Sequence, residues 1–106
     1  MPASSKRLEF LQKTTASGSD DPFVWYGLAM EYRSLERRDE ALATFEALRA
    51  RTPGYVPMYL MAGQLLEAMG RAADARAWLT AGIEAARRKG DAHAASELES
   101  ALAGIA

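Results

Sequence analysis

The stretch WYGLAMEYRSLERRDEALATFEALRARTP, residues 25–53, decides the fold. Trp25, Leu28, Ala29 and Tyr32 fall on one face of a helix, because 3.6 residues complete a turn. Ala41, Phe45 and Leu48 make a second stripe at the same period. Residues 36–39 interrupt the pattern between them. Small side chains at Ala29 and Ala41 let two backbones approach, while Trp25, Tyr32 and Phe45 fill the space beside them. Two short helices closing face to face form an αα-hairpin.

Working outward, the next breaks flank this hairpin. Gly18, Ser19, Asp20, Asp21 and Pro22 precede it, with Asp21 placed to cap free amides and Pro22 suited to a first helical turn. Thr52, Pro53 and Gly54 follow it, and weaker breaks fall at 69–71 and 89–91. The segments between are rich in Ala, Leu, Glu, Arg and Met, which are good helix formers, and none alternates as a strand does. Six helices are expected, over 5–16, 22–35, 39–51, 55–69, 72–88 and 91–104, in an all-α fold.

Shifting the chain by 34 residues returns the apolar framework. Trp25 falls on Tyr59, Leu28 on Ala62, Ala29 on Gly63 and Tyr32 on Leu66; Ala41 falls on Ala75 and Phe45 on Leu79. Large and small residues keep their places although few identities survive. One shift back from Phe45 lands on Leu11, with Leu8 beside it, so residues 5–16 read as half a repeat. At the other end Ala95, Leu98, Ala101, Leu102 and Ile105 make one apolar stripe, with Glu97, Glu99 and Ser100 polar, as a terminal cap requires.

A W-x2-L-x3-Y helix, an A-x3-F helix and a closing Pro, here Trp25, Leu28, Tyr32, Ala41, Phe45 and Pro53, resemble the tetratricopeptide repeat. Ala29 stands where that family usually has Gly, and in the second copy Arg87 replaces the closing Pro, so the fifth helix is expected to run longer than its counterpart. The resemblance implies two full αα-hairpin repeats, 22–55 and 56–89, flanked by the N-terminal half-repeat and a C-terminal capping helix at 91–104. All of it is expected to form a single domain.

Composition narrows the function. The chain has 106 residues, 49% hydrophobic and 25% charged, which is globular rather than disordered. Thirteen Lys and Arg against fourteen Asp and Glu give a net charge of −1, which leaves no positive excess for binding nucleic acid. The absence of Cys excludes thiolate metal sites and Cys nucleophiles. The N-terminal group Leu8, Phe10 and Leu11 is too short for a secretory segment, and nothing later reaches membrane-spanning length. A cytoplasmic protein is expected, and the Arg- and Ala-rich usage suits a GC-rich bacterial genome.

Catalytic chemistry has little to work with. His93 is the one histidine; with Glu97 at i, i+4 it offers two metal ligands and no third, so a pair of solvated cap residues is the better account. Asp20 and Asp21 precede Pro22 as helix-capping residues rather than a carboxylate pair. Arg37, Arg38, Arg87, Arg88 and Lys89 read as solvated charges near helix ends. No Gly-rich phosphate loop is present. No enzyme activity, metal or cofactor is expected.

The resemblance further implies that the first helix of each repeat lines a concave surface that holds extended peptides or helices. That stripe carries Phe23, Tyr26, Met30, Arg33 and Ser34 in the first repeat. In the second it carries Pro57, Leu60, Met61, Gln64, Glu67 and Ala68. Relatives that clamp acidic C-terminal tails use Lys and Asn where Tyr26 and Met30 stand, so a more apolar ligand is implied here. The expectation is an adaptor for a partner polypeptide with apolar anchors. The alternative is a homo-oligomer that pairs through the same face or through the terminal helices.

Overall fold

Six α-helices follow one another in a computed structural model that describes residues 2–105: α1 Lys6–Ala16, α2 Pro22–Ser34, α3 Arg38–Arg51, α4 Pro57–Ala68, α5 Ala72–Arg88 and α6 Ala92–Ala103. No strand occurs among the described residues. The expected boundaries hold within two residues. α4 starts at Pro57 rather than 55, because Pro has no N–H to donate and takes the first helical position. Lacking the closing Pro, α5 runs for 17 residues against 14 in α3. The chain forms two compact units, Met1–Thr52 and Pro53–Ala106.

In the first unit α2 packs against α3 on one side and α1 on the other. Leu28, Ala29 and Tyr32 of α2 are buried, as are Ala41, Phe45 and Leu48 of α3, Phe45 completely. Leu8 and Leu11 of α1 are buried too, and Leu11 Cδ2 would lie 3.6 Å from a Cβ built on Gly27. Ser5 caps α1 by accepting from the Leu8 amide at 2.9 Å, and its hydroxyl donates to Glu31 Oε2 at 2.8 Å, tying α1 to α2. Asp21 caps α2 by accepting from the Phe23 amide at 2.9 Å. Trp25 is half-buried: its indole Nε1 donates to the Ser19 carbonyl at 2.8 Å, and the Arg51 guanidinium lies 4.3 Å over its ring.

The second unit is the α4–α5 hairpin with α6 laid against both helices. Tyr59, Ala62, Gly63 and Leu66 of α4 are buried, facing Ala75, Trp78 and Leu79 of α5. The Tyr59 hydroxyl donates to the Pro53 carbonyl, and its ring lies 5.9 Å from that of Trp78. Two size exchanges of opposite sign separate this hairpin from the first. One shift from Thr44 stands Trp78, and one shift from Leu48 stands Gly82. The volume added at Trp78 is offset by the side chain removed at Gly82, where a Cβ would lie only 2.4 Å from Tyr59 Cβ. Asp91 caps α6, and Ala95 and Leu98 are its buried residues.

The turns repeat with the helices. Arg37 N donates to the Tyr32 carbonyl and Arg71 N to the Leu66 carbonyl, both at 2.9 Å, which closes each first helix with a left-handed residue. That residue is Gly70 in the second hairpin (φ 76°) and Glu36 in the first (φ 58°), where a side chain makes the conformation costly. An ion pair recurs just after it, Arg37 with Glu40 and Arg71 with Asp74.

Arg37 is not the solvated charge that its place in a turn suggests. Its side chain is 15% exposed, donates to both Glu40 oxygens at 2.7 Å and to the Ala3 carbonyl at 2.8 Å, and lies 4.9 Å over the Tyr32 ring. It stands at the N-terminal end of α3, where the helix dipole disfavours a cation, so these local partners hold it there.

Candidate functional site

At 100° per residue α2 has three faces. Leu28, Ala29 and Tyr32 take the one toward α3. Gly27 and Glu31 take the one toward α1, where Glu31 receives the Ser5 hydroxyl and lies 3.6 Å from Arg7. The third face carries Tyr26, Met30 and Arg33, all half-buried, with Ser34 exposed at its end.

Tyr26 has a double role that the sequence did not reveal. Its ring centroid is 6.4 Å from that of fully buried Phe45, tilted by 60°, so one edge belongs to the hairpin core. On the helical wheel the stripe of Tyr26 lies beside the α3-facing one, close enough for its ring to reach across. Phe23 leans the other way. It is 60% exposed and, with Phe10 at 68%, flanks a cleft of about 300 Å³ between α1 and α2, lined also by Leu11, Val24 and Gly27.

On α4 the face turned from α5 carries Leu60 and Met61, both half-buried, then Gln64, Glu67 and Ala68, all exposed, with exposed Pro57 at its start. Each stripe therefore combines an apolar patch with polar residues toward the helix C-terminus: Arg33 on α2, Gln64 and Glu67 on α4. Side chains of this kind suit an apolar ligand segment with a few polar anchors.

Phe10 lies off the buried stripe that Leu8 and Leu11 make on α1. Two positions from Leu8 is 200° around the helix, which turns Phe10 to solvent.

Elsewhere the polar residues make local pairs. His93 Nε2 lies 2.9 Å from Glu97 Oε1 on an exposed face of α6. Among the described residues no three His, Asp or Glu side chains gather as a metal site, and no helix is long and apolar enough to cross a membrane. The hydrogen bonds from Arg37 hold the Glu40 carboxyl below its ordinary range, and those to Glu40 raise Arg37. A second cleft, of about 420 Å³, lies between α5 and α6, where Ile83 and Leu102 meet Arg87, Glu84 and Glu99.

Comparison with known proteins bears on these surfaces. The family model for the tetratricopeptide repeat matches residues 32–103. A tetratricopeptide repeat domain protein from Salinibacter ruber is 39% identical to this chain. Its solution structure covers 80% of this chain and 86% of its own, with a TM-score of 0.77. Its crystal structure covers 80% and 94%, with a TM-score of 0.75. A Bordetella parapertussis protein solved in solution is 27% identical and covers 96% of this chain and 89% of its own, with a TM-score of 0.81. A search of curated proteins gives no match.

Proposed function

The chain belongs to the tetratricopeptide repeat family, a fold that generally mediates protein–protein interaction, and from that premise we propose that it is a non-catalytic adaptor which binds a peptide or helix of a partner protein. The contacts assigned to the partner are Phe23, Tyr26, Met30 and Arg33 on α2, and Leu60, Met61, Gln64 and Glu67 on α4. One observation carries this reading: α2 spends two faces on α1 and α3, and the third still presents Tyr26 and Met30 one turn apart. Side chains with apolar bodies and adaptable shape are what a binding surface uses for anchors. The balanced net charge of −1 supports a polypeptide partner over nucleic acid, and a cytoplasmic location is part of the same proposal.

The test is affinity capture from the native host with wild type and with Met30→Lys plus Leu60→Lys. Both residues are half-buried, so the variant is first checked for wild-type helicity by circular dichroism. Lys is chosen because an apolar ligand would have to desolvate its charge. The folded variant should lose the proteins that wild type captures; recovery of the same set would defeat the assignment. Tyr26 is left intact because its contact with Phe45 would confound binding with stability.

A further inference from the structure

The first and last helices differ in what they expose, and of the residues concerned the peptide-binding reading uses only Phe23. In α6 the positions two shifts on from Trp25, Leu28, Ala29 and Tyr32 are His93, Ser96, Glu97 and Ser100, and all four are exposed. The face on which another helix would stack is therefore polar. By contrast α1 and α2 leave Phe10 and Phe23 in solvent, 68% and 60% exposed, lining with Gly27 the cleft of about 300 Å³. No other large hydrophobic side chain among the described residues is this exposed.

We propose that this α1–α2 surface is a homodimer interface, occupied by the same surface of a second copy about a two-fold axis. A symmetric interface requires one patch to be complementary to itself. This patch carries both projections, the two Phe rings, and a recess between them. It is also self-complementary in charge. Arg7, which lies 3.6 Å from Glu31 of its own chain, and Asp21, which caps α2, both line the cleft and are exposed, so a two-fold rotation can set Arg7 of each copy against the partner's Asp21. Each Phe removed from water is removed twice, once per copy. Head-to-tail stacking, which would build a filament, is disfavoured because the α6 end offers polar residues to the Phe10 surface. The pair closes at two chains.

Sedimentation equilibrium of the full chain from about 1 μM to about 1 mM tests this. The weight-average mass should rise from 11.5 kDa toward twice that value and level off. Phe10→Glu, at a mostly exposed position outside the α2 and α4 stripes, should keep wild-type helicity and remain monomeric. Arg7→Glu should weaken the dimer, and mixing it with Asp21→Lys should restore association, since each chain then supplies the charge the other lacks. Should Asp21→Lys fail to fold through loss of the α2 cap, Phe10→Glu still decides. A wild type that stays monomeric throughout overturns the proposal, as does a Phe10→Glu variant that dimerises like wild type. Phe10 and Arg7 lie outside the proposed partner stripes, and Phe23, which belongs to both surfaces, is left unchanged, so either result leaves the adaptor reading standing.

Discussion

Replacing Gly82 by Ala sets two effects against each other. Ala is favoured over Gly in a helix interior by about 1 kcal/mol, so on α5 alone the change should stabilise. The added Cβ, however, would lie 2.4 Å from Tyr59 Cβ, 3.0 Å from its Cγ and 3.1 Å from Leu98 Cδ2. Tyr59 Cβ is fixed to the α4 backbone, so no rotamer relieves the contact, and its hydroxyl is anchored on the Pro53 carbonyl. Restoring ordinary contact requires α4 and α5 to part by about 1 Å, in a core packed at crystal-like density. Overpacking of this kind costs typically 1–3 kcal/mol, and a backbone-bound contact belongs at about the upper end. The net loss should be about 2 kcal/mol, a fall in Tm of roughly 8–16 °C for a domain of this size.

Two other helical glycines calibrate the result. A Cβ on Gly27 meets Leu11 Cδ2 at 3.6 Å, an ordinary contact, so Gly27→Ala should stabilise by about 0.5–1 kcal/mol. A Cβ on Gly63 meets Leu79 Cδ2 at 2.7 Å and Cγ at 2.9 Å, side-chain atoms that rotation of Leu79 can move where Tyr59 Cβ cannot, so Gly63→Ala should fall between the two. Urea and thermal unfolding, followed by far-ultraviolet circular dichroism and by Trp25 and Trp78 fluorescence, ranks the three. If Gly82→Ala melts at or above wild type, helix propensity has won and the α4–α5 approach described here is wrong.

Phe45→Ala empties a fully buried site between α2 and α3 and should cost about 3–5 kcal/mol, seen as loss of the cooperative melt; a melt within a degree or two of wild type would contradict the register. Glu36→Gly relieves a left-handed residue at φ 58° and should raise stability by up to about 1 kcal/mol in urea titrations. A fall in stability would show that the Glu36 backbone is not as described. Glu40 has a depressed carboxyl pKa, through its hydrogen bonds with Arg37. Its contribution is therefore present above the unfolded carboxylate pKa and lost as pH falls through the folded one. The gap in urea midpoint between wild type and Glu40→Gln should narrow on acidification, and a gap independent of pH would refute the linkage.

The helices, their order and the residues of the α2–α3 core were legible because they depend on period, and period survives substitution. Leu28, Tyr32 and Phe45 needed only a spacing of 3.6 and a shift of 34 residues, whereas Trp25, read with them, is half-buried. What failed to show depends on reach and depth rather than period. Tyr26 is long enough to touch Phe45 from a position read as surface. Arg37, one residue before α3, spends its guanidinium on Glu40, Ala3 and Tyr32, partners that only the closed turn brings together. The Trp78 and Gly82 exchange looks like two departures from the repeat until both are seen to contact Tyr59. The proposed stripe could be placed on α2 and α4 from periodicity, but a helical wheel holds no information about a ligand.

Site-specific photo-cross-linking tests the adaptor proposal most directly. A photoreactive amino acid is placed singly at Met30 or Leu60, within the proposed stripes, and at Glu46, exposed on α3, as the control. After irradiation in the native host, positions 30 and 60 should give adducts to the same partner protein, and position 46 should give none to it. Adducts to that partner from Glu46 but not from Met30 or Leu60 would place binding on another face and contradict the account.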